Sequence, residues 1–193
     1  MSRFPVFTLQ LPSWVETFLP DPEQVYPTVE ARMRLVIALS RQNVIQGTGG
    51  PFGAGIFNLD TGQLLAPGIN LVIPTHSSVA HAEMVAFMIA QQVLGTFDLG
   101  GTGLPPFEIV ASTEPCAMCF GAVPWSGVKS LVCGARGEDA EAVGFDEGPK
   151  VATWWQELEK RHIGVTRDVL REDAAAILSL YAQNGHIYNA RQG

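Results

Sequence analysis

Short apolar segments and amphipathic segments take turns along this chain, and that alternation restricts its fold more than any other feature. Apolar residues recur at helical spacing from Val29 to about Ile45 (Met33, Ile37, Ala38, Val44), and the run stops at the glycines of QGTGG. PFGAGIFNLDTGQLLAPGINLVI then reads as two strands around the turn Asp60-Thr61-Gly62. A helix is predicted from Ala80 to Leu94, closed by Gly95. The strand FEIVAS, the short helix CAMCFGAVPWSG and the strand VKSLVCGA follow. KVATWWQELEKRH has the pattern of an amphipathic helix, IGVTRDV of a strand, and REDAAAILSLYAQNG of a last helix with a glycine end. Strands alternating with helices build a layered α/β sheet covered on both faces.

A chain of 193 residues, 47% apolar and 16% charged, suits one domain with a substantial core. The opening MSRFPVFTLQLPSWVETFLPDP has one Arg, no long apolar run and no small-residue cleavage site. It reads as an ordered or semi-ordered arm over residues 1–25 ahead of a domain over 26–193, not as a signal peptide. No apolar run reaches the roughly 18 residues that a membrane span needs. The cysteine count is three, and two of them sit too close for an ordinary disulfide, which fits a reducing cytoplasm. A net charge of −7 without a Lys/Arg cluster weighs against a protein that grips a nucleic-acid backbone, and favours a small neutral or cationic substrate.

Cys116 and Cys119 lie three apart at the predicted start of a helix, so their sulfurs share a face. Pro115 just before them suits a helix start, and the positive end of the helix favours thiolates. Thiolates plus an imidazole suit zinc, and His81 opens another predicted helix. If the two helix starts lie side by side, three ligands converge and the fourth tetrahedral position is left for water, the catalytic pattern. Glu83, two residues after His81, is then a proton carrier beside the metal rather than a ligand. A lone C-x-x-C also fits a redox pair or half of a structural zinc site. The upstream HAE argues against the first and the lack of a second C-x-x-C against the second; Cys133 reads as a buried strand residue. H-x-E together with P-C-x-x-C is the signature of zinc nucleobase deaminases.

With these motifs, and with GGPFGAGI (Gly49 to Ile56), GIN (Gly68 to Asn70), TEPCAMCFGAVPWSGV (Thr113 to Val128) and GFDEG (Gly144 to Gly148), the chain resembles bacterial guanine deaminases. These form part of the purine-type branch of the cytidine-deaminase-like superfamily, and the similarity runs from about Val29 to the C-terminus. The resemblance implies a three-layer α/β fold, a mixed sheet of about five strands between helices, with Zn2+ held by His81, Cys116 and Cys119. It implies hydrolysis of guanine to xanthine and ammonia, with Glu83 moving the protons. Asn70 would hydrogen-bond the base, and Ala82 would offer its backbone N–H to a substrate carbonyl. Glu147 would bind the amino and imino edge and relay protons, with Asp146 as its competitor. Glu114 and Pro115 would shape the pocket. Phe52 matches a ring-packing position or is a core residue; Trp125 covers the base or caps the core. The C-terminal part would close the site with Tyr188 near it, in a homodimer with a swapped segment or packed on its own domain. A tRNA adenosine deaminase, a cytosine or cytidine deaminase and an inactive zinc-binding subunit are the competing readings; the last is expected to lack Glu83. Two departures stand out: VIPTHSSV replaces a shorter Asp-Pro loop, with His76 read as a surface residue, and the N-terminal arm has no counterpart.

Overall fold

A computed structural model describes residues 3–19 and 21–189. Its elements run α1 (Trp14–Phe18), α2 (Val29–Ile45), β1 (Gly53–Asn58), β2 (Leu64–Ile69), α3 (Val72–Thr75), α4 (Ala82–Leu94), β3 (Phe107–Thr113), α5 (Ala117–Ser126), β4 (Ser130–Ala135), α6 (Gly137–Ala142), α7 (Trp154–Glu159), β5 (Gly164–Thr166) and α8 (Arg171–Asn184). The five strands form one sheet in the order β2-β1-β3-β4-β5. β1 is antiparallel to both β2 and β3, while β3, β4 and β5 are parallel.

The sheet is covered on both faces because its central strands are apolar on both faces. Ile109, Leu131 and Cys133 point into a cluster with α4, α5 and α7; Val110 and Val132 point into one with α2 and α8. That is the period of two expected of strands in the middle of a sandwich. The arm belongs to the second cluster: Val15 is fully buried there, with Leu9, Leu11, Trp14, Phe18 and Leu19 packed around it.

Local chemistry sets the ends. Thr28 caps α2 by accepting from Ala31 N at 3.1 Å. The two helices that carry the site, α4 and α5, each stop at a left-handed glycine, Gly95 and Gly127. Several elements depart from the pattern read in the sequence. α1, α3 and α6 were not expected, and α7 is confined to six residues. The second strand of the hairpin ends at Ile69 instead of running on through Val72, because Asn70 Oδ1 accepts from Val72 N at 3.3 Å and turns the chain into α3.

Candidate active site

His81 is the N-cap of α4 and Cys116 the N-cap of α5, both in extended conformation, and neither side chain caps its own helix. They turn toward each other instead. His81 Nδ1 stands 3.5 Å from Cys116 Sγ and 3.6 Å from Cys119 Sγ, and the three donor atoms lie within 4.8 Å of one another. A tetrahedral zinc with Zn–N of about 2.05 Å and Zn–S of about 2.3 Å separates N and S by about 3.6 Å. Donor chemistry and spacing therefore both fit zinc, with one position left open. The sulfurs already share a negative charge: a hydrogen bond from Cys119, then His81, pulls Cys116 down to about 4, while Cys119 is pushed up as the partner that keeps its proton. A dication beside both removes the reason to keep it.

Glu83 is buried in the first turn of α4, and burial followed by the charge on Cys116 pushes its carboxyl up. A cavity of about 380 Å³ opens beside the ligands, lined among others by Val72, His81, Cys116, Met118, Glu147 and Tyr188. A groove of similar size between α2 and α8 is lined mainly by Val44, Ile45, Ile73, Pro74 and Leu180, and the hydroxyls of its Thr48 and Tyr181 are bonded to Asn43 and His186.

Glu147 reaches the cavity because its backbone carbonyl accepts from Ala117 N at 2.9 Å, pinning GFDEG to the start of α5. Burial, with Cys116 as the next cause, pushes its carboxyl up to about 8. Its Oε2 has no hydrogen-bond partner among the described residues. Asp146, by contrast, is exposed and accepts from Gly148 N at 2.8 Å, the work of a turn residue. Asn70 is fully buried, and with its Oδ1 engaged by Val72 its Nδ2 is left without a partner among the described residues. Tyr188 enters from the tail: its ring packs edge-on against Phe145 at 5.5 Å and against Gly50, and its OH is likewise buried and unpartnered. In the single chain this segment lies over the chain's own site.

Other expected residues lie behind or away from the cavity. Ala82 is the first residue of α4, so its N–H has no acceptor within the helix. Phe52 is half-buried and packs its ring on Phe145 at 4.9 Å, supporting Tyr188 through that ring. Glu114 is committed to Arg167 Nε at 2.6 Å and Gly137 N at 3.2 Å. Pro115 O accepts from Lys150 Nζ at 2.8 Å. His76 is exposed at the end of α3. Trp125 lies apart from the cavity of its own chain. It is 86% exposed and stands clear of the cavity on the outer side of α5, near Phe120, Pro124 and Arg161. Cys119 and Val123, four apart, define the buried face of α5, and Trp125 is two residues beyond, on the other side.

Three participants were not singled out beforehand. Phe145 carries the ring stack, and its signal was an aromatic residue inside GFDEG. Lys150 ties that loop to the residue before Cys116. Asn189 donates to Asp146 O at 2.9 Å while its Oδ1 is buried without a partner among the described residues.

One imidazole and two thiolates at paired helix starts, an open fourth position and a buried carboxylate two residues past the histidine define a zinc-dependent deaminase. Residues 27–135 match the cytidine and deoxycytidylate deaminase zinc-binding region, and the chain belongs to that family. A solved guanine deaminase from Nitrosomonas europaea is 46% identical over 95% of this chain and 98% of its own, with a TM-score of 0.87. Guanine deaminase from Bacillus subtilis is 36% identical over 118 residues, 61% of this chain and 71% of its own. The tRNA-specific adenosine deaminase of the same organism is 32% identical over 131 residues, 68% of this chain and 74% of its own.

Proposed function

We propose that this protein hydrolyses guanine to xanthine and ammonia. The observation that carries the reading is a set of buried polar atoms left without partners among the described residues: Glu147 Oε2 and Tyr188 OH, on residues that line the cavity beside the zinc ligands, and Asn70 Nδ2. Buried polar groups are nearly always paired, so groups left unpaired in a cavity belong to a ligand. A purine base offers what they lack, an acceptor for the amide and an N–H edge for the carboxylate.

Zinc, when bound, supplies a water whose pKa falls from 15.7 to about 7. Glu83 takes a proton and later returns protons to the ring nitrogen and the departing amine; its burial makes the protonated form easy to hold between those steps. The bond from C2 to the exocyclic nitrogen breaks, one to oxygen forms, and ammonia leaves. Glu147 holds the amino and imino edge and provides a second proton route. Ala82 N–H and Asn70 fix the base, and Tyr188 over the opening excludes water.

The reading extends to a homodimer acting in a reducing cytoplasm, with the deaminase domain over 26–193 behind an arm over 1–25. Three free thiols support the compartment. The face of α5 that presents Trp125, Phe120 and Pro124 supports a second copy, whose tail segment would be exchanged or kept. No helix among the described residues is long and apolar enough to cross a membrane. Deamination of adenosine in tRNA is the second reading, favoured by the likeness to tRNA-specific enzymes and opposed by the net charge of −7. Incubation with guanine, adenine, cytosine, cytidine and tRNA, followed by an ammonia assay, decides between them. Guanine should give the largest signal; release from tRNA alone replaces the reading, and release from nothing makes the chain an inactive zinc subunit.

A further inference from the structure

Asn43 takes no part in the chemistry, yet it is fully buried in α2 with its whole side-chain amide engaged. Its Nδ2 donates to Gly50 O and to Asn70 O, both at 2.9 Å. Its Oδ1 accepts from Thr48 Oγ1 at 2.7 Å. Thr48 Oγ1 in turn accepts from the indole Nε1 of Trp14 at 3.0 Å. An indole only donates and a hydroxyl gives one proton, so the bonds have one direction: from the arm, through Thr48 and Asn43, to two backbone carbonyls. That direction also fixes which way the Asn43 amide faces.

Both carbonyls belong to parts of the base site. Asn70 O is the backbone of the residue whose Nδ2 is left free. Gly50 belongs to the turn against which the Tyr188 ring lies: a Cβ there would come within 2.7 Å of Tyr188 Oη. Gly49 is equally confined, since a Cβ on it would collide with Asn70 O and come within 2.7 Å of Asn43 Nδ2. Asn70 and Tyr188 lie far apart in the sequence, and the hydrogen-bonded loop 48–50 is where their positions are referred to each other.

We infer that Asn43 is a positioning residue for recognition of the base, and that Trp14 and Thr48 couple the N-terminal arm to it. The inference rests on Asn70 and Tyr188 contacting the base. His81, Glu83, Cys116 and Cys119 stand at α4 and α5, and none of the strut's hydrogen bonds ends on them, so its loss acts on base binding and leaves the zinc in place.

The test compares Asn43→Ala, Thr48→Val and Trp14→Phe in the zinc-loaded, full-length chain. Asn43→Ala strands two buried carbonyls and should raise KM for guanine about tenfold, with kcat within about threefold and zinc retained. Trp14→Phe keeps a ring but removes the N–H, and should raise KM about two- to threefold. The Asn43→Ala/Trp14→Phe double variant should be no worse than Asn43→Ala, because one chain of bonds is broken once. Amide exchange of residues 49, 50, 52, 70 and 71, measured without substrate, should quicken in the same order. Unchanged KM in Trp14→Phe and Thr48→Val, or a lowered melting temperature in Asn43→Ala with KM and exchange as in the wild type, overturns the inference. If Asn43→Ala does not fold, the other two variants decide alone. A wild-type chain inactive on guanine defeats the functional reading instead, and the exchange measurement still decides whether the strut orders loop 48–50 and Asn70.

Discussion

Two pairs of glutamates are equally withdrawn from water, and the fold treats them in opposite ways. Glu108 and Glu114 are each 6% exposed, Glu83 8% and Glu147 6%. Glu108 receives Arg32 Nε at 2.9 Å and Ser130 Oγ at 2.8 Å. Glu114 receives Arg167 and the Gly137 amide. Glu147 has an oxygen with nothing to accept from among the described residues, and both it and Glu83 are pushed up by burial. Depth is the same; provision of an arginine partner is not. Glu108 and Glu114 are each ion-paired with an arginine, whereas among the described residues no lysine or arginine forms an ion pair with Glu83 or Glu147.

The contrast is open to attack at each member. Glu83→Gln should keep zinc while turnover falls by roughly four orders of magnitude or more, since one residue serves several proton transfers worth about 10² to 10⁴ each. A variant retaining a tenth of wild-type turnover means another base is at work. His81→Ala, in comparison, should lose metal and activity together, and full zinc by elemental analysis in that variant breaks the ligand assignment. Glu147→Gln should cost about a hundredfold in guanine turnover through a lost charge-assisted contact and proton route, with zinc unchanged. Glu108→Gln belongs to the other class. It should leave turnover within about twofold but destabilise the fold by roughly 3 kcal/mol, because Arg32 stays buried without its carboxylate. Denaturant titration and steady-state kinetics on the same preparation separate the two effects.

The smallest effect is the sharpest test of the starved class. Glu147 titrates at about 8 in the folded chain and near 4.3 when unfolded. Between those values the folded state holds a proton that the unfolded state has lost, so this group lowers stability as pH rises. The limit is about 1.4 kcal/mol per pH unit, and about 2.5 kcal/mol is expected between pH 5.5 and 7.5. Metal-free Glu147→Gln should lack that part of the decline. Identical pH dependence in variant and wild type would show that Glu147 is not short of partners.

Much of this arrangement is legible in the sequence because periodicity survives wherever burial is one-sided or complete. α2 begins and ends at the expected residues, and the strands and the two site helices fall where apolar runs and glycines put them. The zinc donors are legible for a stricter reason: few residue types bind zinc, and the i, i+3 spacing leaves their sulfurs on one face. Elements held by single tertiary bonds are not legible. α6 looks like an acidic run, yet Asp139 caps it through Arg136 N at 2.8 Å and pairs with Arg171. α7 is short because Lys150 ahead of it is drawn to Pro115 O. The choice of Glu147 over Asp146 depended on resemblance, since adjacent acids differ only in where the turn aims them. The place of Trp125 was not legible either, because the phase of α5, which turns it outward in the single chain, is set by which face packs on the sheet.

Both helices that open at the zinc ligands have spent their cap positions on the ion. A histidine and a cysteine stand where Ser or Asp would ordinarily hold the first free amides, and neither returns a bond to its own helix. The metal is thus the fastener of two helix starts as well as a reagent, and binding it is a local act of folding. Chelation should loosen the first turns of α4 and α5 well before the sheet responds, which makes the order of this corner a report on the zinc supply around the protein.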